Sequence, residues 1–443
     1  MRTIKTKRVR LVLPAILIAA ILSACGSSGK DTEQAGPRVD LNAPAELSFY
    51  AASASFTEEI FQARIAEPIR KKFPHYTINY VKPGSVKIAD MIATNNVPDI
   101  FLYALPEMQE HLLPYGLQYD MTELIKLSGY DLNRFDPAIV QTIRNASGEG
   151  RLYGLPESVS SDMMFYNKDI FDKFGVPYPR DGMTWDEAYQ MSRKLTNFSE
   201  GVQYRGVTLF FRTVLTNNSD SLPLIDPKTE RAVVNADGWK KQFDNLKRFY
   251  ELTGMTAGFK PGGDGNSELV SFYTDKNVAV VVSPLTAYTR AGFSDLNWDM
   301  AAAPTFADRQ GVGFQVGPRA LFISNTSTVK EQAFQVIAHL LSDEVQLQNN
   351  KLGQITSLNN ETVRKTFGSD VQALKGKNVA SVFHNKIAPT PQLPMLSTNA
   401  GKLLGNEFDA VIQGKKDVNT ALRSAEETIN KAIDEEIAKR RKP

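Results

Sequence analysis

At 443 residues, with 42% hydrophobic and 23% charged side chains, the chain is long enough for two or three domains. Its composition is that of an ordinary globular protein and excludes a disordered one. The formal net charge is +2, but Arg2, Lys5, Lys7, Arg8 and Arg10 fall in the first 24 residues, which hold no acid. The remainder therefore carries 46 basic against 49 acidic side chains, a net of −3, and offers no electrostatic case for nucleic acid.

The basic N-terminal segment runs into an apolar stretch, Leu11 to Leu22, too short for a lasting membrane span. It ends in Leu22-Ser23-Ala24-Cys25. Small residues before a cysteine at this place resemble a bacterial lipobox, which implies a signal peptide over 1–24 and lipid (palmitate among the acyl groups) on Cys25. An ordinary signal peptide that happens to contain cysteine is the alternative. Cys25 is the single cysteine, so no disulfide forms within a monomer. Residues 25–44 read as a flexible polar tether.

From Glu46 strands and helices alternate. Leu47–Ala52, Thr77–Val81 and Asp99–Tyr103 read as strands, and Glu58–Phe73 and Lys87–Thr94 as helices between them. Such alternation predicts an α/β domain with a parallel sheet. Mostly helical sequence follows to Ala146. Arg151–Leu155 and Met163–Tyr166 are strand-like runs. Asn167 is placed to cap a helix over Lys168–Phe174, Gly175 to end it, and Thr184 with Glu187 to form a capping box ahead of Trp185–Leu195. Beyond it we read strands at Gly206–Phe211, Asn277–Ser283, Asp299–Ala303 and Ala320–Ser324. Helices are read at Asn235–Glu251, Ser267–Tyr273, Lys330–Leu341, Glu361–Phe367, Thr398–Ile412 and Val418–Lys439.

The stretch from Gly150 to Glu187 carries a Gly-Arg-Leu-Tyr-Gly-Leu-Pro turn, a Tyr166-Asn167-Lys168 step and a Thr184-Trp185-Asp186-Glu187 helix start. It resembles the first lobe crossing of the extracellular solute-binding proteins of ABC importers, the large carbohydrate-type family. Val97-Pro98-Asp99-Ile100 and the Lys330–Leu341 helix with its Ser342-Asp343-Glu344 sequel resemble that family too. The resemblance implies a two-lobed type II periplasmic-binding fold, each lobe a mostly parallel sheet flanked by helices, joined by a three-segment hinge. It places lobe 1 at 45–152 and 284–327, and lobe 2 at 153–283 and 328–443. It makes Gly150–Pro156 the hinge and turns Glu157–Asp162 toward a ligand cleft. It further implies a sugar or oligosaccharide as solute, ABC permease subunits as partners, a monomer, no cofactor or metal, no chemistry, and an extracytoplasmic, membrane-anchored position. The same fold serving a sensor is one alternative. A secreted polysaccharide-degrading lipoprotein enzyme that uses Glu157 and Asp162 is another.

Catalytic and metal signatures are missing: there is no G-x-S-x-G, no H-E-x-x-H and no P-loop, and the four histidines have no ligand spacing. The binding candidates are weaker patterns. Glu157, Ser160 and Asp162, with Ser158 and Ser161, are suited to hydrogen bonding a polar solute. On the residues alone a solvated loop accounts for them better, and the resemblance shifts the balance to a cleft contact. Ser53 and Ser55 sit at a strand-to-helix turn and either cap the helix or meet ligand. Tyr103 either stacks on ligand or packs in its lobe. Leu285 falls where sugar binders of the family carry tryptophan, and Tyr288 is the nearest substitute. Arg212 and Gln315 are placed at strand ends, and Asn399 in the last cleft segment.

Overall fold

Leu47, Phe49 and Ala51 recur at every second position of the first strand, β1 (Ala45–Ala51), and go into an apolar core. The computed structural model describes residues 40, 42–51, 56–82, 84, 87–147, 150–262, 265–394 and 396–440. β1 pairs in parallel with β2 (Tyr76–Val81) and β3 (Ile100–Ala104). A helical run from Glu58 to Lys72 joins the first two strands. It is capped by the Thr57 side chain and contains a π-helical turn at Gln62–Ala66. β4 (Gly154–Ser160) joins the same sheet. One residue, Ser161, then separates β4 from β5 (Asp162–Asn167), which belongs to a second sheet with β6 (Asn197–Ser199) and β7 (Val202–Leu209).

A small hairpin follows, β8 (Ile225–Asp226) with β9 (Arg231–Ala232), and then β10 (Val278–Pro284) and β11 (Trp298–Ala302) complete the second sheet. The chain returns to the first sheet in β12 (Gly317–Ile323) and again in β13 (Ile355–Thr356). The strand orders are β13-β4-β12-β3-β1-β2 and β11-β5-β10-β7-β6.

Each sheet has its own core. The first is covered by Phe61, Ile65 and Ile69 of the opening helical run and by Phe334, Ile337 and Leu340 of Lys330–Leu340. The second is covered on both faces. Met164 and Tyr166 of β5 pack with Trp239, Phe243 and Leu246 of Asp237–Tyr250 and with the last two helices, Ser397–Ile412 and Val418–Arg440. Met163 and Phe165 point the other way, toward Phe293 and Trp298. The molecule is therefore two-lobed and mixed α/β. Among the described residues no helix is long and apolar enough to cross a membrane.

The local signals between Asn167 and Leu195 appear as read. Asn167 accepts from Asp169 N at 3.1 Å, Gly175 is left-handed (φ 64°), and Thr184 and Glu187 cap one another reciprocally. Removing that cap with Thr184→Ala should cost about 1 kcal/mol, read as a shift in denaturation midpoint.

The hinge expectation is corrected. Gly154 to Ser160 is continuous strand in the first sheet, and the chain changes lobe at Ser160–Asp162. Gly154 is there for packing, since a Cβ on it would lie 2.6 Å from the Phe322 ring of the neighbouring strand. The lobe limits change with it. β4, expected in lobe 2, pairs with β12 in lobe 1, whereas β11, which was expected in lobe 1, pairs antiparallel with β5 in lobe 2. The helix Lys330–Leu340 and β13, expected in lobe 2, pack and pair in lobe 1. One strand also moves at its ends. The run expected at Gly206–Phe211 is strand over Val202–Leu209, with Phe211 already opening a helix, Phe211–Thr216.

Candidate functional site

The registers bring one end of each sheet to the crossing. In lobe 1, Ala51 pairs with Leu102, Ala104 with Arg319, and Ser160 with Gly317. In lobe 2, Asp162 pairs with Pro284, Met163 with Ala302, and Val282 with Leu209. The space between these strand ends is the inter-lobe cleft, the place where open α/β sheets hold ligands.

On the lobe 1 side the pairing of β12 with β4 slips by one residue between Arg319 and Ala320, which leaves Glu157 as an unpaired bulge residue. Bulges re-aim side chains in this way. The Glu157 carboxylate accepts from Gln354 Nε2, and Gln354 Oε1 in turn accepts from Arg64 Nη1 at 2.8 Å. Arg64 lies in the π-helical turn, and Gln354 just past the helix Asp343–Lys351. Beside this chain Arg319 extends from β12 to the ring of Phe56, 5.8 Å from its centroid. Tyr80 stacks on Phe61 with centroids 4.2 Å apart and donates to Phe56 O at 2.8 Å, which fixes the aromatic floor.

On the lobe 2 side Asp162 is fully buried. Thr213 Oγ1 donates to it at 2.9 Å and Asn217 Nδ2 at 3.3 Å. Burial pushes its carboxyl up to about 6, against the two hydrogen bonds, which favour the charged form. Tyr288 reaches across to lobe 1, where its hydroxyl would lie 2.5 Å from a Cβ on Gly353, so only glycine fits there. Burial raises the Tyr288 phenol, and the nearby Arg64 charge opposes that. A cavity of about 450 Å³ adjoins the crossing, bounded by Val159, Asp162, Met163, Phe314, Val316 and Asn385.

Of the candidates read from sequence, Glu157 and Asp162 lie on either side of the crossing and Tyr288 bridges the lobes. Ser160 is exposed at the crossing itself, its hydroxyl 3.4 Å from Gly317 O. Arg212 is half-buried in the helix after β7 and makes no ion pair among the described residues. Asn399 is exposed on the first turn of Ser397–Ile412.

Three candidates have structural work instead. Tyr103 is completely buried, and its ring face is taken by Phe101 at 5.3 Å. Leu285 sits in the lobe 2 core and offers no platform. Gln315 is buried, and its amide donates to Asn218 O at 2.9 Å, pinning the second crossing to lobe 2. Ser53, Ser55 and Cys25 lie outside the described residues. Arg64, Gln354 and Arg319 were missed. The signal for Arg319 was present: it is the one charge in the strand Gly317–Ile323.

The chain matches the family model of the bacterial extracellular solute-binding proteins over residues 53–347. It belongs to that family. This solute-binding protein is 28% identical over 333 residues to the arabinooligosaccharide-binding protein of Bacillus subtilis (strain 168), covering 72% of this chain and 70% of that one. It is 22% identical over 333 residues to an sn-glycerol-3-phosphate-binding periplasmic protein of Rhizobium meliloti (strain 1021), covering 70% and 75%. Its fold is similar to that of a sugar transporter from Rhizobium etli in an open conformation, with a TM-score of 0.69, 18% identity and coverage of 87% and 98%. It is likewise similar to a sugar-binding protein from Xanthomonas citri, with a TM-score of 0.68, 16% identity and coverage of 90% and 100%.

Proposed function

We propose that this solute-binding protein captures an oligosaccharide between its lobes and delivers it unaltered to an ABC permease. The observation that carries this reading is the cleft itself, with hydrogen-bonding groups on both sides of a one-residue crossing: Glu157, Gln354 and Arg64 on lobe 1, Tyr288 and Arg212 on lobe 2. The relatives named for binding an arabinooligosaccharide and a glycerol phosphate support a polyhydroxylated solute. Closure about the crossing makes the bound form distinct for the transporter. The lipobox-like Leu22-Ser23-Ala24-Cys25 supports an anchor on the outer face of the cell membrane, and one-to-one docking on a permease fits a monomer.

A degradative role for Glu157 and Asp162 is less favoured, because each carboxylate is committed to partners within its own lobe. The test is a thermal-shift and calorimetric panel of arabino-, galacto- and malto-oligosaccharides with glycerol 3-phosphate. At 100 times the dissociation constant a true ligand stabilises by about 2.7 kcal/mol, several degrees in melting temperature. No shift with any of them, or new reducing ends in the incubated glycan, would overturn the reading.

A further inference from the structure

Arg319, half-buried, differs from three other buried or half-buried arginines. Arg205 is paired with Glu268, Arg64 is held by Gln354, and Arg364 meets Asp136 at 3.4 Å. Arg319 has no such partner: its Nε and Nη2 are shut off from solvent and find no acceptor among the described residues. Its recorded contact is the Phe56 ring, which meets the charge but accepts none of those N–H groups. Carboxylates on the neighbouring elements are committed elsewhere. Glu58 accepts from Gln62 at 2.8 Å and faces Lys82 at 3.4 Å, Glu107 accepts from Ala104 N at 2.7 Å, and Glu157 takes Gln354. Two guanidinium nitrogens withdrawn from water without an acceptor are costly unless something arrives to satisfy them. Its position, opposite Ala104 and two residues from Gly317 at the crossing, puts that something in the cleft.

The geometry points to Arg319 as an anion-reading group: the solute carries a carboxylate or a phosphate, which the planar guanidinium meets with paired N–H donors. Arg212, also without an ion pair among the described residues, adds a second positive charge from lobe 2. This inference rests on the saccharide-capture reading and narrows it to acid-bearing saccharides.

The test measures calorimetric affinities for matched probes: digalacturonate against galactobiose, and glucose 6-phosphate against glucose. The carboxylate and phosphate arms separate the two sources of charge. The acidic member of at least one pair should bind tenfold or more tightly than its neutral match, with the gap narrowing as salt is raised. In Arg319→Gln the two members should bind within threefold of each other, and Arg319→Lys should keep part of the preference. Unchanged melting of both variants without ligand confirms that they fold. Equal binding of acidic and neutral members by the wild type overturns the inference and leaves saccharide capture standing. A preference that survives intact in Arg319→Gln overturns the role of this residue. Binding of no probe by the folded wild type overturns the inference, and the oligosaccharide panel above decides separately whether the reading beneath it falls too.

Discussion

Arg205→Ala should destabilise the protein by about 3–5 kcal/mol, the usual loss when one partner of a buried ion pair is removed. Arg205 and Glu268 have side chains only 1% and 0% exposed. Arg205 donates from Nη2 to Glu268 Oε2 and from Nε to Met255 O at 2.7 Å. Glu268 Oε1 has no partner among the described residues, so Arg205 is the main support of that carboxylate. Burial already raises the Glu268 carboxyl, and the Arg205 charge is what opposes the rise. Without it the folded state holds the Glu268 proton more tightly still, while the unfolded state does not. The variant should therefore lose further stability as pH rises and be best tolerated in mild acid. Arg205→Met with Glu268→Leu should recover most of the loss, because an apolar pair leaves no charge to compensate. Urea midpoints of the two singles and the double check this. Purely additive losses would show that the pair does not act as a unit.

Asp162 should make stability fall between pH 4 and pH 7. Its carboxyl titrates near 6 in the folded protein against a reference of 3.8. The folded state thus binds the proton more tightly than the unfolded chain. That contribution is fully present below the reference value and is lost as pH rises through 6. That difference corresponds to about 3 kcal/mol. Asp162→Asn cannot titrate, so the melting temperature of the wild type minus that of the variant should fall toward pH 7 and flatten above it. A difference independent of pH would show that Asp162 does not carry the linkage. Because Asp162 ties the crossing to Thr213 and Asn217, the same titration should appear in solute affinity.

Capping residues and the β/α alternation were legible in the sequence because they depend on neighbours a few positions apart. Thr184 with Glu187, Asn167 with Asp169 and the glycine stop at 175 all behave so. The crossing was not legible. Val159-Ser160-Ser161 has the composition of a turn, and nothing local shows that strand pairing continues to Ser160. Nor does an apolar strand declare which sheet it joins, so β11 was assigned to the wrong lobe. The cleft residues missed are the most distant in sequence. Gln354 lies 197 residues from Glu157 and 290 from Arg64, and the bulge that turns Glu157 inward is set by the register of β12. Tyr103 and Leu285 show the reverse error, in which an aromatic or apolar residue at the expected place is absorbed by its own core.

Ser161, alone between β4 and β5, sets a phase as well as a path. Side chains alternate along both strands, and on β5 the odd members Met163 and Phe165 feed one core while Met164 and Tyr166 feed the other. A shift of β5 by a single residue against its neighbours would exchange those two sets, so an insertion at the link has to be absorbed within the link itself. With one residue between them, the facing ends of β4 and β5 stay within a few ångströms of each other at any opening of the lobes, so this connection acts as a fixed pivot.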